Sequence, residues 1–340
     1  MTRLRAILAT ARVANMPSVV TNVLAGVMIG LFSSRHDQFM KIMLYEIDLP
    51  LRSQLLACAF TPALAGLFLY AGGNFLNDWK DAEWDRSHRP ERAIPSGLVP
   101  RHVYLFSAIA LLFTGLRLLV SSGLPSIIAA CFIVTCILIY TWLHKTHTGA
   151  IIPMALCRCG LVTLGWLAIP GSFNSFWLSV YLIAIFAQIL SISLAAKGES
   201  APEDHATHAL RMPMMLAVIA LLLACGPLLG ASLHATSLPL WIRSLPAIAT
   251  LPAAIWLAGS CRSSSRSPRR FVGLMLAGIP LLDFIVIGPR ALILYHYLIH
   301  PSPVFEAVAT PPDPYLLGLA AAPLLAFALS LALQRLAPAT

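Results

Sequence analysis

The stretch Gly73-Asn74-Phe75-Leu76-Asn77-Asp78-Trp79-Lys80-Asp81-Ala82-Glu83-Trp84-Asp85 closes an apolar run that begins at residue 53. A helix advances about 100° per residue, so Asn77, Asp81 and Asp85 fall at about 0°, 40° and 80°, with Asp78 at about 100°. Three carboxylates and an amide therefore share one arc where a hydrophobic helix ends. Like charges this close repel, and such a cluster is stable only with a cation among them.

Outward from this stretch the chain is strongly apolar. Of its 340 residues 58% are hydrophobic and 11% charged, with a mean hydropathy of +0.80. Soluble domains carry about 25% charged residues. A bilayer core about 30 Å thick needs about 20 residues of helix. Ten runs meet that length, near 13–33, 53–76, 102–120, 123–143, 150–170, 175–196, 212–233, 239–259, 271–298 and 315–335. The pattern predicts an all-α, polytopic membrane bundle of 9–10 helices around a central apolar cavity, with residues 1–340 as a single domain. The basic N-terminus (Arg3, Arg5, Arg12) leads into the first spanning helix, with no small-residue cleavage site to mark a signal peptide. The third and fourth runs, divided by Ser121-Ser122, read as a tight hairpin, and Gly288-Pro289 as a kink or break in the ninth.

The net charge of +9 is distributed asymmetrically. With the N-terminus inside and ten alternating spans, sixteen of the 23 Lys and Arg residues fall on the inner side and four on the outer. The other three, Arg117, Arg158 and Arg290, lie within runs. This is the positive-inside pattern of a membrane protein. It accounts for the basic balance without nucleic acid, for which no soluble basic module is present. The expected location is a bacterial cell membrane, with segments 77–101, 197–211 and 260–270 in the cytoplasm. The seven cysteines read as small packing residues, since Cys157 and Cys159 point to different helix faces.

The residues after the acidic stretch sharpen the chemistry. Arg86-Ser87-His88-Arg89-Pro90-Glu91-Arg92 places cations beside the acids, and Tyr140-Thr141-Trp142-Leu143-His144-Lys145 adds another at the same membrane face. Oxygen-only ligands favour a hard ion, Mg²⁺ above all, completed by phosphate oxygens of a substrate. Cations beside them suit a diphosphate. Carboxylates, metal and cations at the head of an apolar bundle describe a receptor for a lipid diphosphate.

Asn77-Asp78-x-x-Asp81-x-x-x-Asp85, followed by Arg89-Pro90-x-Arg92-x-Ile94-Pro95-Ser96-Gly97, resembles the first aspartate-rich motif of the UbiA superfamily of intramembrane prenyltransferases. Arg12-x-x-Asn15-x-Pro17 with Gly26 resembles the family's entry helix, and Tyr140 and Lys145 its Tyr/Lys segment. Asn15-Met16-Pro17, Tyr140-x-Trp142-x-His144-Lys145 and Leu156-Cys157-Arg158 are similar to the EboC-like branch. The resemblance covers roughly residues 10–235. It implies Mg²⁺-dependent transfer of a prenyl group from a polyprenyl diphosphate to a lipophilic acceptor. Asn77, Asp81 and Asp85 would hold the metal, Asp78 would support them, and Arg12, Arg89, Arg92 and Lys145 would grip the diphosphate.

The family's second aspartate-rich motif is missing. Its place reads Ala195-Ala196-Lys197-Gly198-Glu199-Ser200-Ala201-Pro202-Glu203-Asp204, where Pro202 interrupts the spacing of the acids. Glu199 is the candidate substitute ligand, and Lys197 the cation to cover part of a second ion's role. The missing motif leaves an alternative: a non-catalytic lipid-diphosphate binder or transporter that keeps the fold. Arg158, charged in mid-span, reads as a substrate contact or as a partner within the bundle. Asp283 and Arg290, seven apart, read as a structural ion pair, and Asn22 and Gln188 as interhelical hydrogen-bonding groups. His144, His147, His205 and His208 show no metal spacing. The charge asymmetry predicts that a Pro90→Cys variant in a cysteine-free background reacts with thiol reagents only from the cytoplasmic side. Labelling of intact cells by an impermeant maleimide would overturn the orientation.

Overall fold

In an apolar solvent a chain must bond its own peptide groups, which makes the helix the local structure of each hydrophobic run. The computed structural model describes residues 3–33, 51–169, 176–198, 206–234, 239–264, 267–299 and 315–336. Among them no strand occurs. The helices are α1 (Arg3–Thr10), α2 (Met16–Ser33), α3 (Leu51–His88), α4 (Arg101–Leu118), α5 (Leu124–Leu143), α6 (Ile151–Leu167), α7 (Phe176–Lys197), α8 (Ala206–His234), α9 (Leu240–Ser263), α10 (Pro268–Ala277), α11 (Ile279–Ile299) and α12 (Tyr315–Leu336). Ten spans among the described residues are long and apolar enough to cross a membrane, with α10 and α11 forming one broken span. The chain is a multi-pass integral membrane protein.

Two boundaries differ from the sequence reading. Helix α3 does not end with its apolar run but continues to His88, 38 residues in all. At 1.5 Å per residue it is about 57 Å long, nearly twice the hydrocarbon thickness. No glycine or proline interrupts residues 74–89, and Pro90 then ends the helix. The acidic motif thus stands on one continuous helix, as its periodicity implied. The ninth span breaks at Gly278, not at Gly288-Pro289. Pro280 has no N–H for the Leu276 carbonyl, and the Trp256 indole donates to Leu274 O at 2.9 Å beside the break. Pro289 is carried inside α11.

Helix α2 lies at the centre and packs against α3, α6, α11 and α12. The α10–α11 span is the most enclosed, 83% buried, whereas α4, α8 and α9 are at 22% and present apolar side chains outward. The α4–α5 connection is short, through the 3₁₀ turn Leu119–Ser122, but the two helices splay: α4 packs chiefly along α3, and α5 along α6.

The α2–α6 crossing brings backbone against backbone. A Cβ on Gly26 would lie 1.9 Å from Val162 O, and one on Gly165 would lie 1.9 Å from Val23 O. Small residues allow this approach where packing, not water, drives association. Below the crossing a buried polar network ties α2, α6, α7 and α11 together. Asp283 accepts from Asn22 Nδ2 at 2.9 Å and from the hydroxyls of Thr21 and Tyr181. Asn22 Oδ1 in turn accepts from Arg158 Nη1 at 3.0 Å. Asn22 is thus the interhelical group expected of it, and Gln188 points its amide at Met275 Sδ at 3.9 Å. The expected Asp283–Arg290 ion pair is absent among the described residues, because Asp283 faces α2 and α7. A Gly165→Leu variant is expected to lose the folded form, read as loss of the monodisperse peak in detergent size-exclusion chromatography, because neither backbone can yield.

Candidate active site

The part of α3 that extends past its apolar run carries the acids over about two and a half turns, and three other segments converge on them. Asn77, Asp81 and Asp85 are buried, with Asp85 only 1% exposed, and Asp78 is half-buried beside them. Asn77 Nδ2 donates to Asp81 Oδ2 at 3.2 Å. The turn after α3 brings Arg92 back over the helix, where its Nη1 meets Asp85 Oδ2 at 2.9 Å and Asp78 Oδ1 at 3.4 Å. The end of α5 supplies His144, whose Nε2 is 3.1 Å from Asp81 Oδ2, and Lys145, whose Nζ is 3.6 Å from the same oxygen. Every carboxylate of the arc therefore has a cationic or imidazole neighbour, which offsets the mutual repulsion expected from the sequence.

The N-terminal segment closes the site from the other side. Thr10 Oγ1 donates to Asp78 Oδ2 at 3.1 Å and lies 2.9 Å from the Tyr104 hydroxyl. Arg12 follows with φ 49° and ψ 49°, the single non-glycine residue with positive φ among those described. A left-handed arginine is uncommon and costs of order 1 kcal/mol, so its surroundings must hold it. Asn74 Nδ2 reaches Ala11 O at 3.5 Å, and Asn15 N bonds Arg12 O at 2.9 Å. Burial disfavours the Arg12 charge, but Tyr70, Asp78, Tyr140 and Asp81 around it hold its pKa above the usual value.

Not all sequence candidates gather here. Arg89 is half-buried at the start of the turn with no side-chain partner among the described residues. Arg158 lies in the bundle, 7% exposed, bonding Ser18 Oγ and Asn22 Oδ1 at 3.0 Å each and facing the Tyr70 ring at 5.2 Å. No described contact joins it to the acids. Lys197 is exposed at the same end of the bundle and donates to Thr148 O at 2.6 Å, away from the carboxylates. Glu199 lies outside the described residues.

Two contributors escaped the sequence reading. His144, dismissed for lack of metal spacing, touches Asp81; its position next to Lys145 at a helix end was the available signal. Trp84 projects from the acidic stretch beneath Lys145, whose Nζ stands 3.5 Å from the ring centroid, and stacks on His88 at 3.9 Å.

A hard cation fits this arrangement. Asn77 Oδ1 and Asp85 Oδ1 are buried oxygens with no hydrogen-bond partner. Buried oxygens are rarely left so, and an oxygen-only pair of this kind would suit Mg²⁺. No three His, Cys, Asp or Glu side chains among the described residues enclose an ion by themselves. That suits Mg²⁺ shared with substrate oxygens rather than caged by protein.

These features define an intramembrane helical protein with clustered carboxylates and cations at one end of its bundle. The UbiA prenyltransferase family profile matches residues 50–276, so the chain belongs to that family. Digeranylgeranylglyceryl phosphate synthase of Thermococcus kodakarensis is 26% identical over 137 residues, covering 38% of this chain and 48% of that protein. The enzyme of the same name from Pyrococcus abyssi is 38% identical over 85 residues, 24% of this chain and 31% of that protein. The matches thus span less than half the length of these curated relatives. The fold is shared with a UbiA homologue of Aeropyrum pernix, at TM-score 0.58 and 14% identity, covering 80% of this chain and 96% of that one. It is also shared with a structure described for digeranylgeranylglyceryl phosphate synthase, at TM-score 0.52 and 20% identity, covering 84% and 98%.

Thr10→Val is expected to destabilise the protein by about 1–2 kcal/mol, because it strips a partner from Asp78 and from Tyr104 at once. A thermal-unfolding midpoint in detergent equal to wild type would show that the N-terminal segment is not held by this contact.

Proposed function

We propose that the chain transfers a prenyl group from a polyprenyl diphosphate to a membrane-soluble acceptor, with Mg²⁺ as cofactor. One observation carries the reading: the buried Asn77/Asp81/Asp85 face, with two unpartnered oxygens, is ringed by Arg12, Arg92 and Lys145 at the mouth of an apolar bundle. Mg²⁺ held by Asn77, Asp81 and Asp85 would withdraw charge from the leaving diphosphate as the allylic C–O bond breaks. Arg12, Arg92 and Lys145 would take the remaining diphosphate oxygens, with Arg89 at the entrance. Asp78, held by Thr10 and Arg92, fixes the height of the N-terminal segment over the site. Trp84 keeps the Lys145 ammonium over Asp81 instead of in solvent. The surrounding helices exclude water from the developing carbocation, leaving capture to the acceptor. In this reading the site faces the cytoplasm of a bacterial cell. The relatives' name makes geranylgeranyl diphosphate the first donor to assay.

The test is incubation of purified protein with radiolabelled prenyl diphosphates and a membrane extract, with isolation of a labelled lipid. Activity is expected to vanish with EDTA and return with Mg²⁺. Asp81→Ala is expected to lower turnover by about 100-fold or more while inserting normally in the membrane. Turnover without any divalent ion would overturn the metal assignment. Tight diphosphate binding with no product from any extract would favour the carrier reading raised by the missing second acidic motif.

A further inference from the structure

Helix α1 precedes the first span, and its eight residues reach about 12 Å, too short to cross a bilayer. Both of its ends are tied where spans leave the apolar layer. Near its start, Arg5 Nε donates to the carbonyl of Leu336, the last residue of α12, at 3.0 Å. At its end, Thr10 Oγ1 donates to Asp78, two residues past the apolar run of α3. The helix therefore lies along the membrane surface beside the acid cluster.

Its side chains sort into two faces. With Arg3 at 0°, Ala6 and Thr10 fall at about 300° and 340°. Both are buried, where α1 packs on α3. Ile7, Leu4 and Leu8 fall at about 40°, 100° and 140°. Leu4 is 67% exposed and Ile7 40%, so this apolar face turns away from the protein. Arg3 and Arg5, both exposed, stand at its two edges. A helix with an outward apolar face edged by arginines suits a lipid interface: the apolar side chains sink to the headgroup boundary and the cations meet the phosphates.

The surroundings carry the same charge. The turn Val13–Asn15 after α1 packs against α10 and α12. Arg269 and Arg270 at the start of α10, and Arg335 near the end of α12, are exposed at this membrane face. Helices α1, α10 and α12 contain no acidic residue. Arginines gathered without a local acid complement an anionic leaflet rather than a zwitterionic one.

We propose that α1 docks its Leu4/Ile7 face in the headgroup layer of an anionic leaflet, and that this docking holds the Arg12 turn over the acids. Only Ala11 separates Thr10 from the left-handed Arg12, so a helix fixed on the membrane fixes the turn as well. The proposal does not depend on the chemistry assigned to the site. Its test is amide hydrogen exchange of the full chain in nanodiscs of phosphatidylglycerol or of phosphatidylcholine with matched acyl chains. In wild type, residues 3–15 are expected to exchange about fivefold or more slowly in phosphatidylglycerol, the share of at least one arginine at an anionic surface. Arg3→Gln, at an exposed position, is expected to shrink that difference by about fivefold. Ile7→Ser is expected to speed exchange of α1 about tenfold in both lipids, because it removes inserted apolar surface. Exchange of α2 serves as the control for folding. Equal exchange of residues 3–10 in the two lipids would overturn the proposal, as would an Ile7→Ser helix protected as well as wild type. Lipid-dependent protection that stops at Thr10, with residues 11–15 unchanged, would overturn the hold on the Arg12 turn.

Discussion

The contact between the backbones of α2 and α6 sets the geometry of everything above and below it. With Gly26 seated on Val162 and Gly165 on Val23, α2 runs deep through the bundle instead of along its surface. That depth lets Ser18 and Asn22 meet Arg158 and Asp283 in the interior. It also delivers the Arg12 turn to the mouth of the bundle, opposite the acids of α3. The buried network and the candidate site are thus two ends of one helix placement. A wider crossing would separate Arg158 from its acceptors and lift Arg12 off the carboxylates.

Electrostatics divides the molecule in the same way. At the site end, the acids are balanced by side chains from three segments: Arg92 from the turn after α3, His144 and Lys145 from α5, and Arg12 from the N-terminal segment. Arg92, His144 and Lys145 each keep some exposure, so each can exchange its carboxylate for a ligand. In the interior, Arg158 and Asp283 have neutral intermediaries and no solvent, which favours a permanent arrangement.

Much of this was legible in the sequence. Hydrophobic run length located all ten spans, because a bilayer imposes one length on every helix. The acidic arc was visible because helical periodicity fixes which side chains share a face. What stayed hidden depends on contacts between distant segments. Hydropathy ends α3 at Leu76, although the helix itself stops only where Pro90 forbids it. The break in the ninth span followed Pro280 instead of the more conspicuous Gly288-Pro289, which the helix carries through. Spacing suggested that Asp283 would pair with Arg290, but Tyr181, Thr21 and Asn22 come from other helices and reach the carboxylate first. His144 shows no metal pattern along the chain, and its role rests on where the end of α5 meets α3.

Lys145 stands directly over the face of Trp84, and that gives the protein an intrinsic optical reporter. The emission energy of an indole responds to the electric field across its ring, and a full positive charge at 3.5 Å is a large fixed contribution to that field. Any event that draws the ammonium toward an incoming anion removes the contribution and shifts the colour of the emitted light. The occupancy of the carboxylate face is thereby written into the spectrum of a side chain that belongs to the same helix.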